Sequence, residues 1–311
     1  MNIVIVGGTG FIGRNLASLL GDGEHSITIL TRTLSQAPTH LHPAILLKEW
    51  NPLTWGALEQ VFDGKDAVIN LAGASVAEGR WTAARKDLLR SSRIDTTRMI
   101  VNRLSNIPIT HRPKVLINAS GIGYYGLNPP RPVDEMTRPG QGFLADLCVE
   151  WEAEAFRASD YGVRTVCPRI SMVLGPRGGA LEKMLLPFQL FLGGPIGKGN
   201  QPVSWIHVED LGRLIKTILE HDSFKGPINA ASPYPVTMKE FCRELGKSLG
   251  RPSWLPVPAF VLQTALGEMS TLMTHGQHVK TVTTQKLGFT YHYPTLESAF
   301  SQIFKERCED G

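Results

Sequence analysis

No two cysteines in this chain stand close enough to make a metal-binding or redox pair. Cys148, Cys167, Cys242 and Cys308 are the only four, and no CxxC occurs. Isolated thiols of this kind point to a reducing compartment, and the expected location is the cytoplasm. No apolar run reaches the length of a membrane span, so no membrane partner is expected. A secretory leader is not expected either: MNIVIVGG has no basic leading segment and enters a strand directly. Dense basic character is also missing. Lys and Arg number 32 against 28 Asp and Glu, and the net charge of +4 is scattered. The nearest approach to a cluster is Arg85, Lys86, Arg90 and Arg93, at helical spacing. A nucleic-acid footprint needs a denser face, so no nucleic acid is expected. His275 and His278 are spaced like a metal pair, but no third ligand is near and no metal is expected. Internal repeats and low-complexity tracts are absent. What remains is a small-molecule substrate as partner, with a homodimer left open.

Hydrophobic residues make up 42% of the chain and charged residues 19%, the balance of a protein with a real core. Short apolar runs at Ile3–Val6, Ile27–Leu30, Ala44–Leu47, Ala67–Leu71, Val115–Ala119 and Val163–Cys167 read as buried strands. Between them lie helical patterns. Phe11, Ile12, Leu16, Leu19 and Leu20 share one face, with Gly21 and Gly23 as the stop. Further helices are predicted at Trp55–Phe62, Thr82–Leu104 and Leu144–Ala158. Strands alternating with helices give an α/β fold, a Rossmann-like doubly wound parallel sheet. After Pro168 the texture changes. Gly175–Gly179, Gly193–Gly199 and the prolines at 187, 195 and 202 read as long loops. One more strand (Pro227–Ala230) and helices at Met238–Leu249 and Ala259–Leu266 follow, with an amphipathic helix at the end. The expected division is a dinucleotide-binding domain over 1–175, with returns around 204–232, and a smaller C-terminal substrate lobe over 176–311.

The strongest motif is VGGTGFIG. Gly7, Gly10 and Gly13 fall directly after a strand and open a helix. That context turns a weak glycine pattern into a dinucleotide fingerprint. Gly7 makes the tight turn, Gly10 lets backbone approach a pyrophosphate, and Gly13 allows close helix packing. Thr9 adds a hydroxyl, and Phe11 and Ile12 carry the free amides of the helix start. The second strand ends in Thr31-Arg32. An acid there would hold the ribose 2′-hydroxyl of NAD, but none lies between Glu24 and Glu49. An Arg at that point pairs with the 2′-phosphate of NADP, so NADP(H) is the expected cofactor. A plain solvated charge is the competing reading of Arg32.

The order GGTGFIG, NLAG (70–73), NASGIGYYG (118–126), PRISMVLGPRGG (168–179) and SWIHVEDL (204–211) resembles the extended and atypical short-chain dehydrogenase/reductases. These belong to the NAD-dependent epimerase/dehydratase superfamily. RPSWLPVPAF (251–260) and GFTYHYPTLESAF (288–300) resemble its YfcH-like subgroup, whose C-terminal segment is a small domain of unknown function. The resemblance implies that Leu71, Ala72 and Gly73 pass the adenosine and ribose. It implies that Arg93 reaches toward the cofactor, and that Ser171 and Val173 lie near the nicotinamide.

In that family a Tyr transfers the proton, a Lys four residues on lowers its pKa, and a Ser or Thr orients the substrate. None of the six tyrosines here has Lys at that spacing. With Glu152 set on the family's acidic residue after the motif, Leu144 takes the Tyr position and Cys148 the Lys position. Slid by two, they become Gly142 and Asp146. The hydroxyl position falls on Gly121, with Ser120 beside it. Tyr124, Tyr125 and Ser120 are the remaining catalytic candidates, with loop packing as the alternative for the tyrosines. Cys148 reads as core and His207 as cleft or cap. Arg80, Lys86 and Lys183 are candidates for an anionic substrate, each also readable as surface charge. Two functions fit: an NADP-dependent oxidoreductase or epimerase with a non-standard proton donor, and an NADPH sensor without turnover. NADPH is expected to bind more tightly than NADH in a fluorescence titration; clearly tighter NADH binding would sink the reading of Arg32.

Overall fold

The structure, a computed structural model, describes residues 1–21, 25–34, 45–50 and 60–309. The expected helix at Trp55–Phe62 and the stop at Gly23 fall mostly or wholly outside them. The main sheet is parallel throughout. Its strands run β1 (Asn2–Val6), β2 (Ser26–Thr31), β3 (Ile45–Glu49), β4 (Ala67–Asn70), β5 (Val115–Asn118), β6 (Ser120–Gly121), β7 (Arg164–Ile170) and, after a long excursion, β11 (Gly226–Ala230). Spatially the order is β11-β7-β5-β4-β1-β2-β3, with β6 paired to β7. β1 lies between β2 and β4, so the chain reverses its winding there. That is the crevice where such sheets bind ligands.

Side chains along β1 alternate between two helical layers, as the period of a strand demands. Ile3 and Ile5 meet α1 (Phe11–Gly21) and α5 (Val208–Glu220) through Leu16, Leu20, Leu214 and Ile218. Val4 and Val6 meet α2 (Ala83–Ser105) through Ile100 and Leu104. Thr82 caps α2 by accepting from the Arg85 amide. α3 (Phe143–Phe156) lies beside α2 and sends Leu147 and Trp151 into a third cluster with Trp81 and Leu89.

β7 is longer than its sequence suggests: it passes through Pro168 instead of stopping at Cys167. The ladder explains this. β5 leaves β7 after Val166, and β6 rejoins only at Arg169. Pro168 falls in the gap, and a missing N–H costs little where no partner is waiting. The stretch after it is also not simply loop. β8 (Met172–Leu174) pairs with β10 (Trp205–His207), and β9 (Pro202–Val203) with β12 (Val236–Thr237). α4 (Gly179–Gln189) carries Pro187 in its last turn, where only one hydrogen bond is lost.

The remaining helices are α6 (Met238–Leu249), α7 (Ala259–Leu266), α8 (Thr271–Thr274), α9 (Val282–Lys286) and α10 (Leu296–Glu309). A separate core joins α4, α6 and α10 through Leu185, Phe188, Trp205, Phe241, Phe300 and Ile303. α6 opens on a full capping box between Thr237 and Glu240. Among the described residues, no helix is long and apolar enough to cross a membrane.

The two cores are joined at the SWIHVEDL motif. His207 caps α5: its Nδ1 accepts from the Glu209 amide at 3.3 Å, and its Nε2 meets Gln302 Oε1 at 2.9 Å. With Nδ1 accepting, the proton belongs on Nε2, which donates to Gln302. Burial keeps its pKa below the usual range, so the neutral form suits this role. Fully buried Asp210 accepts from the amides of His292 and Tyr293, both at 2.8 Å. The C-terminal segment is thus pinned to the first turn of α5. Asp210→Ala strands two buried amides and is expected to cost about 3 kcal/mol in urea unfolding. A change within about 0.5 kcal/mol would mean that this joint carries no stability.

Candidate active site

Nine of the expected cofactor residues gather where β1, β2 and β4 end side by side. Gly7 has φ +77°, and an added Cβ would lie 2.8 Å from the Ala72 amide nitrogen. Glycine is required there on both counts. Gly13 packs so closely on Gly8 that a Cβ would come within 2.5 Å of its Cα. Around Gly10 only the Gly7 carbonyl is near, at 3.4 Å, so this bend faces open space. α1 has no acid in its first turn, leaving the helix start free for a phosphate. Thr9 Oγ1 lies 3.3 Å from Thr31 Oγ1, tying the loop to β2. Arg32 follows directly and is exposed. Leu71 bonds back to the Val6 carbonyl, and the Ala72 amide to Asn70 Oδ1.

Other expected contacts have side chains already engaged. The Phe11 ring sits against Gly175, Gly178 and Gly179, whose Cβ positions would fall within 2.8, 3.1 and 2.9 Å of it. The glycines of the GPRGG loop therefore exist to wrap this ring. Ile12 packs against the first core. Arg93 donates to the carbonyls of Leu89 and Ala74, lies against Gly73 and stands 5.2 Å from the Trp151 ring. Burial pushes its pKa down to about 10. It clamps the 73–74 turn rather than standing free. Ser171 Oγ donates to the Ala230 carbonyl, and Val173 is buried in β8.

Beyond β5 lies a network that motif reading missed. Arg169, 2% exposed, donates through Nε and Nη2 to the two oxygens of Glu152, each at 2.8 Å. Its Nη1 donates to Tyr125 Oη at 3.0 Å, and its guanidinium lies 3.4 Å from the Tyr124 ring centroid. Ser120 Oγ donates to Glu152 Oε1 at 2.6 Å. Tyr125 Oη donates to Asn229 Oδ1 at 2.6 Å. Burial raises the Tyr125 pKa, and despite the opposing pull of Arg169 it is pushed up to about 12. Burial also works to lower the Arg169 pKa. The hydrogen-bonded Glu152 carboxylate more than reverses it, and the guanidinium is held above its ordinary value.

Leu144 and Cys148 lie one turn apart on α3, facing the same loop. The place where Gly123 would carry a Cβ is 3.0 Å from the Leu144 Cβ, and the Gly121 position is 3.8 Å from Cys148 Sγ. Burial, aided by Glu152, pushes the Cys148 thiol up to about 11. Arg80, Lys86 and Lys183 are each occupied. Arg80 donates to the carbonyls of Thr264 and Ala265, Lys86 pairs with Glu268, and Lys183 donates to the Ala77 carbonyl. A second buried network ties the sheet to its helices. Asn70 Nδ2 reaches Thr97 Oγ1 and Asn118 Oδ1, while Trp151 Nε1 also donates to Thr97 Oγ1.

This fold, with its glycine loop at the switch point, defines a dinucleotide-binding α/β protein. The NAD dependent epimerase/dehydratase family model matches residues 3–231, and a domain of unknown function (DUF1731) matches 257–303. The chain belongs to the NAD dependent epimerase/dehydratase family. It is 41% identical over 309 residues to an epimerase family protein SDR39U1 homolog, chloroplastic, of Arabidopsis thaliana, covering 98% of this chain and 87% of that one. It is 38% identical to the epimerase family protein YfhF of Bacillus subtilis, over 99% of each. The human epimerase family protein SDR39U1, crystallised with NADPH, superposes with a TM-score of 0.87 at 32% identity, over 98% of this chain and 99% of that one. UDP-glucose 4-epimerase of Thermotoga maritima, with a TM-score of 0.80 at 20% identity, shares the fold.

Glu152→Ala leaves a buried guanidinium unpaired and is expected to cost about 3–5 kcal/mol in urea unfolding. A loss below about 1 kcal/mol would show that water reaches Arg169 in place of the carboxylate.

Proposed function

We propose that the protein binds NADP(H) and passes hydride to an acceptor that needs no proton from a side chain. The residues suit the cofactor: Gly10 is open, Gly7 and Ala72 bring two backbone turns together, and Arg32 is exposed beside them. Arg32 offers a fork of donors for a 2′-phosphate. The NADPH found with the human relative supports this reading. When bound, the reduced nicotinamide supplies the hydride.

The reaction class rests on one observation: two of the three candidate hydroxyls, those of Ser120 and Tyr125, are already engaged; in the register that sets Glu152 on the family's acidic residue, the Tyr and Lys positions fall on Leu144 and Cys148. Ser120 donates to Glu152, and Tyr125 donates to Asn229 while accepting from Arg169. A phenol held near 12 and buried has little tendency to give up its proton. Reduction of a simple ketone leaves an alkoxide that demands an acid at once. A quinone or a flavin-like ring spreads the charge after accepting hydride and takes its proton from water afterwards. Ala74, Val76, Phe143, Leu144, Leu266 and Leu272, partly buried beside α3, offer apolar surface to such a conjugated acceptor. With Arg80, Lys86 and Lys183 all engaged, the family's sugar-nucleotide chemistry is not favoured. Buried, unpaired thiols at Cys148, Cys167 and Cys242 fit a reducing, cytoplasmic setting.

The second reading, an NADPH sensor without turnover, draws on the same missing acid. A panel of quinones, flavins and simple carbonyls offered to the NADPH-loaded protein separates the two. Quinone or flavin reduction without ketone reduction is expected. Tyr124→Phe should leave that rate within about twofold, since a general acid would account for a hundredfold or more. A drop of that size would make Tyr124 the proton donor. No oxidation across the panel would favour the sensor.

A further inference from the structure

Residues 259–274 are fixed at both ends and lightly held between them. They comprise α7, the turn Gly267–Ser270 and α8. Before them, the amides of Trp254 and Leu255 donate to the Gly193 carbonyl, and that of Val257 to the Pro195 carbonyl. The packing is so close that a Cβ on Gly194 would fall 2.0 Å from the Leu255 carbonyl oxygen. After them, the Gly276 amide donates to Asn128 Oδ1 at 2.9 Å, and the Lys280 amide to the Val133 carbonyl. Between these anchors the backbone bonds are local, like those from Val261 to Pro258 and from His275 to Thr271. No residue of α7 is buried. A stretch with so little burial belongs to the low-stability end of a fold, where local opening costs little.

Side-chain ties hold the middle down. Arg80, exposed on the loop after β4, donates through Nε to the Ala265 carbonyl at 3.1 Å and through Nη2 to the Thr264 carbonyl. Both carbonyls belong to the last turn of α7, which has no basic residue of its own. Arg80 thus satisfies carbonyls that a helix end leaves unpaired, and its charge meets the negative end of the helix dipole. Lys86 pairs with Glu268 at 2.6 Å, and Gln201 Nε2 donates to the Met273 carbonyl at 2.9 Å. Exposed ion pairs are weak and screened by salt. On the underside, Met269 is buried in the cluster with Trp81 and Leu147. Leu266 and Leu272 lie against that cluster together with Phe143 and Leu144. The apolar surface assigned above to the acceptor is therefore made in part by this segment, and an acceptor reaches it when the segment lifts.

We propose that residues 259–274 form a strap that lifts to admit the acceptor and closes over it, with Arg80 as the positioning residue that clasps it shut. Closure keeps water from a reactive centre, the usual work of such lids. The proposal rests on the acceptor site described above for what enters; the lifting itself is read without turnover.

Amide hydrogen exchange on the full chain, followed by mass spectrometry, tests it. In the wild type, 259–272 should exchange faster than α6. Arg80→Ala should speed that exchange about tenfold further, since two bonds from a charged donor are lost, and leave α6 and the main sheet unchanged. Arg80→Lys, which keeps the cation at the helix end, should restore most of the protection. Should Arg80→Ala fail to fold, Glu268→Gln is expected to loosen the same segment by a smaller factor. Menadione added to the NADP⁺-loaded protein should slow exchange across 259–272, and Arg80→Ala should raise its KM with NADPH affinity unchanged. Exchange that is as slow as in α6, or that ignores both substitutions, would overturn the strap. Loosening by Arg80→Ala without slowing by menadione would support the strap and count against the acceptor class instead.

Discussion

Glu152 and Arg169 form an ion pair sealed between α3 and β7, and the groups nearest to proton chemistry hang from it. Ser120 and Tyr125 hydrogen-bond to its two ends, and the Tyr124 ring covers the guanidinium. Two charges cannot leave water cheaply, so neither partner can be lost while the other stays. Such a pair adds little net stability over an apolar filling, but it fixes geometry. Here that geometry spends two hydroxyl groups, those of Ser120 on β6 and Tyr125, on tying β6 and the loop after it to α3, β7 and β11.

The phosphate loop shows the opposite pattern. Its constraints are local, and they were legible in the sequence. Gly7 needs a positive φ, Gly13 needs contact with Gly8, and both needs fall within one short turn whose residues are contiguous. Strand and helix periodicity likewise placed the parallel sheet, because each element carries its own pattern. Pro168 misled for a physical reason: its tolerance depends on a gap between β5 and β6 that no local pattern reveals.

Pairings distant in sequence stayed hidden. Arg169 sits in PRISM and Glu152 in VEWE, seventeen positions earlier, and nothing in either stretch names its partner. The glycines of GPRGG looked like loop punctuation, yet they wrap Phe11 from the far end of the domain. His207 gave a signal that sequence can carry, since the acids of VED follow it as a helix start should. Its capping role was readable from that position, while its bond to Gln302 was not.

The lobe and the cofactor face depend on each other through few, specific ties. Arg80 and Lys86 hold the segment around α7 and Glu268, and Asp210 holds His292 and Tyr293. These ties engage Arg80 and Lys86, and apolar side chains pack beside α3. The most direct measurement is a crystal structure with NADP⁺ bound, read for what faces the nicotinamide C4. Leu144 and neighbouring apolar side chains are expected there, with no ionisable group within hydrogen-bond reach of an acceptor. A tyrosine hydroxyl, lysine or histidine poised at C4 would contradict hydride transfer without a side-chain acid.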